Sequence, residues 1–279
     1  MPSLGDPAAE PLVVGAPGPV YALGGDTPLR LPTGVAVAAD GTVFVADGAN
    51  DRVLEFAADG TFRAALAAVG DERLARPLSV KLDADGRLWI ADTGHSRVLV
   101  RAADGTLAQR IEIPSAGGSP ADVSDVVVAA DGRTVWVVDN DAHGLVRHDL
   151  AGGGSVRIGQ LGESLGQFHY PFMAAATPGG DLVVTDALNG RVAVLDAAGQ
   201  PVRNIGTYGV YPGQLYRPCG LAVDADGRVW VSDIGLGVVQ VFSAGGTFID
   251  VLRDEAGRVL HFVQPAGLAL DAGGRLYVA

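Results

Sequence analysis

The chain has 279 residues, of which 48% are hydrophobic and 19% charged, so it can bury a core and does not have a disordered composition. Its 20 basic and 32 acidic residues give a net charge of −12, which argues against nucleic-acid binding because phosphate contacts need clustered lysine and arginine. No apolar stretch reaches the roughly 18–20 residues of a membrane-spanning helix. The single cysteine, Cys219, excludes an intramolecular disulfide and a zinc site built of thiolates alone.

The N-terminal residues lack the basic start and apolar segment of a secretory signal. If Met1 is the natural start, we therefore expect a cytoplasmic protein. If the chain was trimmed at its N-terminus, the sequence does not indicate the cellular compartment.

A repeat runs along the whole chain. Each copy contains an apolar segment, an Asp-Gly or Gly-Gly pair, a second apolar segment and a closing aspartate. Such pairs favour two-residue hairpin turns, so each copy predicts four short antiparallel strands, which we label a to d. Four-stranded units at a spacing of about 40–50 residues are typical of a β-propeller. The closing aspartates are Asp47, Asp92, Asp139, Asp186 and Asp233.

We therefore expect an all-β fold, a six-bladed propeller that forms a single domain over residues 1–279. Five complete blades span roughly 31–66, 76–113, 121–158, 168–205 and 215–252. Residues 264–279 are expected to supply two strands of the sixth blade and residues 11–24 the other two. The N- and C-terminal strands then share one blade and leave no open sheet edge. A chain cut from a longer array of repeats is the alternative.

The repeat also has a short motif after its second strand. An Arg-Val pair follows the closing aspartate in three copies, whereas the third and fifth copies lack the arginine. Together with the Pro-x-Gly-Val-Ala-Val start of the first copy, this motif resembles the NHL repeat over almost the entire chain. The resemblance implies a six-bladed propeller. It implies no single function, because NHL propellers serve as protein-binding scaffolds, sensor domains, RNA binders and a few enzymes.

The b–c and d–a connections of a propeller share one face, which we call the top face. The d–a connections are long here, and long loops on a rigid ring commonly carry recognition. The residue just before strand a occurs once per blade and is expected to line the channel mouth. Arginine at this position suits an anion, and tyrosine suits stacking. The expected ligand-binding residues are Arg76, Asp122, Tyr170, Arg217 and Gln264, with packing against the adjacent blade as the alternative.

The five closing aspartates have two interpretations. Carboxylates from several blades could bind Ca²⁺. Each aspartate could instead accept backbone N–H groups of its own loop or pair with the arginine five residues later, and we favour this structural role.

The histidines give little support to a zinc site. Four of the five, His95, His143, His169 and His261, fall in top-face connections of different blades and at unequal depths. The inner strands contain none, unlike those of the six-bladed peptide-amidating lyases. No Gly-x-Ser-x-Gly nucleophile motif occurs, and we expect Cys219 to be a buried small residue. We predict no catalytic residue, no metal ligand and no cofactor, with Ca²⁺ or Zn²⁺ in the central channel as the alternative.

These patterns favour a non-catalytic binding protein that presents its top-face loops to a protein, a peptide or a small ligand. The alternative is an enzyme, a metal-dependent hydrolase or lyase of the six-bladed propeller class. We expect no nucleic-acid partner and no membrane span.

Overall fold

A computed structural model describes residues 23–24 and 27–279 of the chain. The regular structure is almost entirely β, with two single-turn 3₁₀ helices at Gly48–Asn50 and Thr93–His95. Within the described residues, no helix is long and apolar enough to cross a membrane.

Five antiparallel sheets of four strands follow one another along the chain, and the strands of each sheet lie side by side in chain order. Blade 1 consists of Pro32–Val37, Val43–Asp47, Arg52–Phe56 and Phe62–Leu66. Blade 2 consists of Pro77–Leu82, Leu88–Asp92, Arg97–Arg101 and Leu107–Glu112. Blade 3 consists of Val123–Val128, Thr134–Asp139, Gly144–Asp149 and Ser155–Ile158. Blade 4 consists of Pro171–Ala176, Leu182–Asp186, Arg191–Leu195 and Pro201–Ile205. Blade 5 consists of Pro218–Val223, Val229–Asp233, Val238–Phe242 and Phe248–Val251.

The prediction of an all-β propeller with four-stranded antiparallel blades is confirmed, but six complete blades are not. The described residues form five such sheets and, after them, a two-stranded hairpin of Leu268–Leu270 and Leu276–Val278. The first strand of this hairpin contacts strand a of blade 5 on one side and strand a of blade 1 on the other, so six innermost strands surround the channel.

The N-terminal strands that we assigned to the sixth blade fall, as far as residue 22, outside the described residues. Leu23–Gly24 is described, and it pairs with Thr27–Pro28 in a short hairpin and not with a blade strand. An equivalent hairpin, Ala68–Val69 with Glu72–Arg73, occupies the connection from blade 1 to blade 2. The pairing of Leu23–Gly24 with Thr27–Pro28 thus resembles the hairpin of a d–a connection, and the blade boundaries that we predicted stay a prediction. Two further short strands, Thr207–Tyr208 and Gln214–Leu215, pair in parallel within the connection from blade 4 to blade 5.

The core lies between neighbouring blades. Strand b is buried along its whole length in all five sheets. One register of this strand carries large rings, each of which packs against the next blade and contributes roughly 1.5–3 kcal/mol by burial. These rings are Phe44, Trp89, Trp136, Trp230 and Tyr277.

Side-chain hydroxyls also connect consecutive blades. The hydroxyl of Thr93 donates to the carbonyl oxygen of Val123 at 2.6 Å, from blade 2 to blade 3. Equivalent bonds run from Thr185 to the Cys219 carbonyl at 2.9 Å and from Ser232 to the Ala266 carbonyl at 2.6 Å. These bonds give buried carbonyl groups a hydrogen-bond partner, and they join blade 2 to blade 3, blade 4 to blade 5, and blade 5 to the segment before the last hairpin.

Candidate functional site

The closing aspartates are structural anchors for the top-face loops. All five are fully buried. Asp47, for example, accepts the backbone N–H of Arg30 at 2.7 Å and the Nε–H of Arg52 at 2.7 Å. Asp92 and Asp186 make the same two kinds of bond. Each carboxylate thereby ties the incoming d–a connection to its own blade, which supports the structural interpretation.

In the two blades that lack the motif arginine, other groups donate hydrogen bonds to the closing aspartate. In blade 3, Arg157 of strand d donates to Oδ2 of Asp139 at 2.7 Å and takes the place of the missing arginine. In blade 5, the donors to Asp233 among the described residues are all backbone N–H groups, including those of Tyr216 and Leu236. Burial raises the pKa of Asp186, against the opposing effect of its hydrogen bonds with the His169 backbone, Asn189 and Arg191.

The five ligand-binding residues that we predicted do not form one cluster in the structure. The guanidinium of Arg76 lies 2.6 Å from Oδ1 of Asp122 and joins the connections that precede blades 2 and 3. Burial raises the pKa of Asp122, and the charge of Arg76 opposes this shift. Arg217 and Gln264 are exposed, and no described group bonds to either side chain.

Tyr170 is the centre of an aromatic cluster that the sequence did not reveal. Its ring centroid lies 4.6 Å from that of His143 and 5.6 Å from that of His169. Its backbone N–H donates to Nδ1 of His143 at 3.2 Å, so the neutral imidazole carries its proton on Nε2. Tyr170 has φ +56° and His143 has φ +52°, an uncommon conformation for residues other than glycine.

Two d–a connections, residues 159–168 and 206–215, are copies of one rigid loop. Three glycines have positive φ at matching places, and a glutamine side chain braces each loop from inside. Gln167 Oε1 accepts the backbone N–H of Ser164 at 3.1 Å, and Gln214 Oε1 accepts that of Tyr211 at 3.2 Å. Each loop ends on a side chain that is completely buried between blades, Phe168 in the first and Leu215 in the second.

The tips of these two loops carry five of the twelve large exposed apolar side chains of the described residues. Tyr211 is 70% exposed, Val210 61% and Tyr208 59%, and Leu161 and Leu165 hold the tip of the first loop. The framework of the two loops is therefore the same, while their exposed residues differ in shape and polarity.

A groove of about 550 Å³ separates the two loops above blade 4. Tyr208 and Leu188 supply its apolar part, and Glu163, Asn204 and Thr207 supply polar side chains. Its volume falls within the roughly 300–1,000 Å³ that is usual for small-molecule sites.

An ion pair lies at the hub of the ring, between the inner strands of blades 2 and 3. Lys81, the single lysine of the chain, lies with Nζ 3.3 Å from Oδ2 of Asp125, which is fully buried. Asp125 also accepts the backbone N–H of Ala174 at 2.8 Å and the hydroxyl of Ser79. One carboxylate thus binds together the inner strands of blades 2, 3 and 4. A cavity of about 380 Å³, lined mostly by alanine and valine, lies beside Lys81 towards the a–b turns.

The donor groups of the hub do not fit a metal ion. Asp125 is the one carboxylate on the described inner strands, and both of its oxygens are bonded to protein donors, with an ammonium at the position of a cation. Within the part of the chain that the structure describes, no three His, Cys, Asp or Glu side chains cluster as metal ligands would. Cys219 is buried, and burial raises the pKa of its thiol to about 12.

Comparison with known proteins places these features on a familiar fold. Residues 17–123, less than half of the chain, match the family described as SMP-30/Gluconolactonase/LRE-like region. No curated protein matches the chain by sequence. Among solved structures, a streptogramin B lyase superposes with a TM-score of 0.70 at 12% identity, over 93% of each chain.

Two other solved structures with different functions share this architecture. A gluconolactonase from Xanthomonas campestris has a TM-score of 0.64 at 18% identity and covers 97% of this chain and 95% of its own. A chain of a nidogen–laminin complex has a TM-score of 0.62 at 16% identity and covers 84% of each. At these identities the likeness shows the fold alone, and the fold is that of a β-propeller.

Proposed function

We propose that this propeller is a non-catalytic binding protein whose top face takes a partner protein or peptide. The observation that carries the proposal is the pair of matching loops whose rigid frameworks present apolar tips. Tyrosines held in one conformation lose little side-chain entropy on binding, so they suit the centre of an interface. The tips carry little charge, and charged residues are depleted at interface cores.

The channel-mouth residues extend this proposed surface. Arg217 and Gln264 offer exposed polar groups, and Tyr170 offers an aromatic ring beside two histidines. Arg76 and Asp122 neutralise each other, so we assign them a contact to a polar partner group and not to a free anion. We retain all five residues as proposed contacts.

The test compares top-face variants with variants on outer strands. Tyr211→Ser and Leu161→Ser remove exposed apolar groups from the two tips, and Val156→Ser and Val202→Ser remove exposed valines from strands d of blades 3 and 4. Affinity capture from the source cells, followed by mass spectrometry and direct titration of the captured protein, should give a partner that both tip variants lose. If the tip variants still bound the partner and the strand variants lost it, binding would be assigned to another surface.

A second function, an enzyme of the hydrolase or lyase type, has one observation in its favour. His143, His169 and Tyr170 bring two imidazoles and a phenol together at the channel mouth, and histidine is the commonest general base. The fold is also shared with a streptogramin B lyase and a gluconolactonase. A metal-dependent form of this function is not favoured, because the donors of the hub are already bonded to protein groups. Turnover of a gluconolactone or a streptogramin B substrate that His143→Gln abolishes would replace our first proposal.

We also propose that the chain completes six blades, with residues before 23 pairing beside Leu276–Val278. The position of the last hairpin between blades 5 and 1 supports this arrangement. Hydrogen exchange in a chain that lacks residues 1–22 tests it, since Leu276–Val278 would then become an open sheet edge and lose protection.

A further inference from the structure

The groove between the two matching loops contains polar side chains that no other part of the described structure uses. No described group bonds to the carboxylate of Glu163, the amide of Asn204 or the hydroxyl of Thr207. These groups line one groove together with an aromatic ring. A small ligand with several hydroxyl groups would match their mixture of donors and acceptors.

The walls of this groove are fixed by a network of hydrogen bonds. Arg191 pairs with Asp186 at 2.8 Å and donates to the backbone carbonyls of Glu163 at 2.6 Å and Gln167 at 2.9 Å. Asn189 donates to the carbonyl of Gly162 at 2.9 Å. The c strand and the b–c connection of blade 4 thus hold the first loop in place. A groove with preformed walls orders few groups when it binds a ligand.

Tyr208 forms the aromatic wall and is itself held in position. A Cβ atom at Gly190 would lie only 2.8 Å from Cδ2 of Tyr208, so the ring packs closely on the turn of blade 4. Its centroid is 5.5 Å from that of Tyr216. The ring remains 59% exposed, which leaves it surface for a ligand. The C–H groups of a pyranose ring pack well on such an aromatic surface, while the hydroxyl groups at the ring edge need hydrogen-bond partners.

The charges in the groove select against anions. Four of the five N–H groups of the Arg191 guanidinium donate to Asp186 and to three backbone carbonyls, and the carboxylate of Asp186 compensates its charge. Glu163 is the remaining charged side chain, and its carboxylate accepts hydrogen bonds without compensating a negative ligand. We propose that this groove is a binding site for a neutral carbohydrate, with Tyr208 as the stacking residue and Glu163, Asn204 and Thr207 as hydroxyl partners. This site goes beyond the proposed protein-binding surface, because Leu161, Val210 and Tyr211 do not line it.

The test uses maltose, cellobiose, lactose and N,N′-diacetylchitobiose as probes, in calorimetric titration and saturation-transfer NMR. We expect at least one disaccharide to bind with a dissociation constant of about 1 mM or tighter and to receive saturation at its ring C–H protons. Tyr208→Ala and Asn204→Ala should each weaken binding about tenfold, and Thr207→Val should weaken it less. Tyr211→Ala, in the same loop but outside the groove, is the matched control and should leave sugar binding unchanged.

Three results would overturn the site. The first is that no disaccharide binds at about 10 mM. The second is that Tyr208→Ala and Asn204→Ala leave sugar binding unchanged, and the third is that glucose 6-phosphate binds more tightly than glucose. The last result would mean that an anion and not a neutral sugar is preferred. Since the tip variants Tyr211→Ser and Leu161→Ser test the protein-binding surface separately, either proposal can fail while the other stands.

Discussion

The ammonium of Lys81 and the carboxylate of Asp125 meet at the hub of the propeller, with Nζ 3.3 Å from Oδ2. Lys81 comes from blade 2 and Asp125 from blade 3, and both reach the backbone of Ala174 in blade 4. The side chain of Lys81 retains 22% exposure, whereas that of Asp125 has none. The pair therefore compensates a buried negative charge and, at the same time, joins three blades.

Removing this cation should destabilise the ring. Lys81→Met leaves Asp125 with hydroxyl and backbone donors only, and we expect the free energy of unfolding to fall by about 2 kcal/mol. Arg258→Met, which removes an exposed partner of Asp254, should leave the free energy of unfolding nearly unchanged, because solvent screens this surface pair. Urea titrations of the three proteins measure both differences. An equal, small effect of the two variants would mean that the hub pair does not contribute to stability.

Arg157, the arginine from strand d of blade 3, should contribute as much to the free energy of unfolding as the motif arginines. Arg157→Gln withdraws the charge that compensates buried Asp139, and we expect a loss of about 1–3 kcal/mol, similar to that of Arg191→Gln in blade 4. Arg133→Gln is the control, because Arg133 pairs with Asp149 on the surface. Thermal and urea unfolding of the three variants give the comparison. If Arg157→Gln behaved like the control, the anchoring of Asp139 would rest on its backbone bond alone.

The sequence was sufficient to predict the features that recur within each repeat. The Asp-Gly and Gly-Gly pairs predicted the a–b hairpins, because the allowed backbone conformations of a two-residue turn are few. The spacing of Asp47 and Arg52 predicted a bond within one blade, and the two atoms are 2.7 Å apart.

The sequence was not sufficient for contacts that lie outside the repeat motif, either within one blade or between blades. Arg157 lies 18 residues from its partner Asp139, and the repeat pattern gives no reason to pair them. His143 and Tyr170 come from the connections of two blades, and their contact depends on how closely those blades approach. Lys81 was conspicuous as the single lysine, yet only the ring geometry brings it to Asp125. The repeat pattern also did not predict the short hairpin of Leu23–Gly24 and Thr27–Pro28, which resembles the one in the connection from blade 1 to blade 2.

The brace of the second top-face loop should be removable without unfolding the protein. Gly209 has φ +157°, and a Cβ atom there would lie 2.1 Å from Oε1 of Gln214. Gly209→Ala must therefore displace the glutamine that bonds to the backbone of Tyr211. We expect hydrogen exchange in residues 206–215 to increase about tenfold while the melting temperature changes by less than about 4 °C.

The control for this variant is Gly154→Ala, since a Cβ atom at Gly154 meets no neighbour within 4 Å. It should change neither exchange nor stability in the second loop. Unchanged exchange in Gly209→Ala would mean that the loop does not depend on the glutamine brace, and the argument for a preorganised binding surface would lose its basis.

The thiol of Cys219 gives the protein a stability limit at high pH. Burial raises its pKa from an ordinary value of 9.0 to about 12, so the folded state holds the neutral thiol where the unfolded chain would ionise. The contribution of the thiol to stability is complete below pH 9 and decreases as the pH rises from 9 towards 12. Cys219→Ala should flatten the dependence of the urea midpoint on pH in this range.

In the native protein at pH 8, a disulfide reagent such as DTNB should react with Cys219 far more slowly than in urea. Rapid modification of the folded protein would show that the thiol is accessible, and the assignment of Cys219 to the buried first strand of blade 5 would then be wrong.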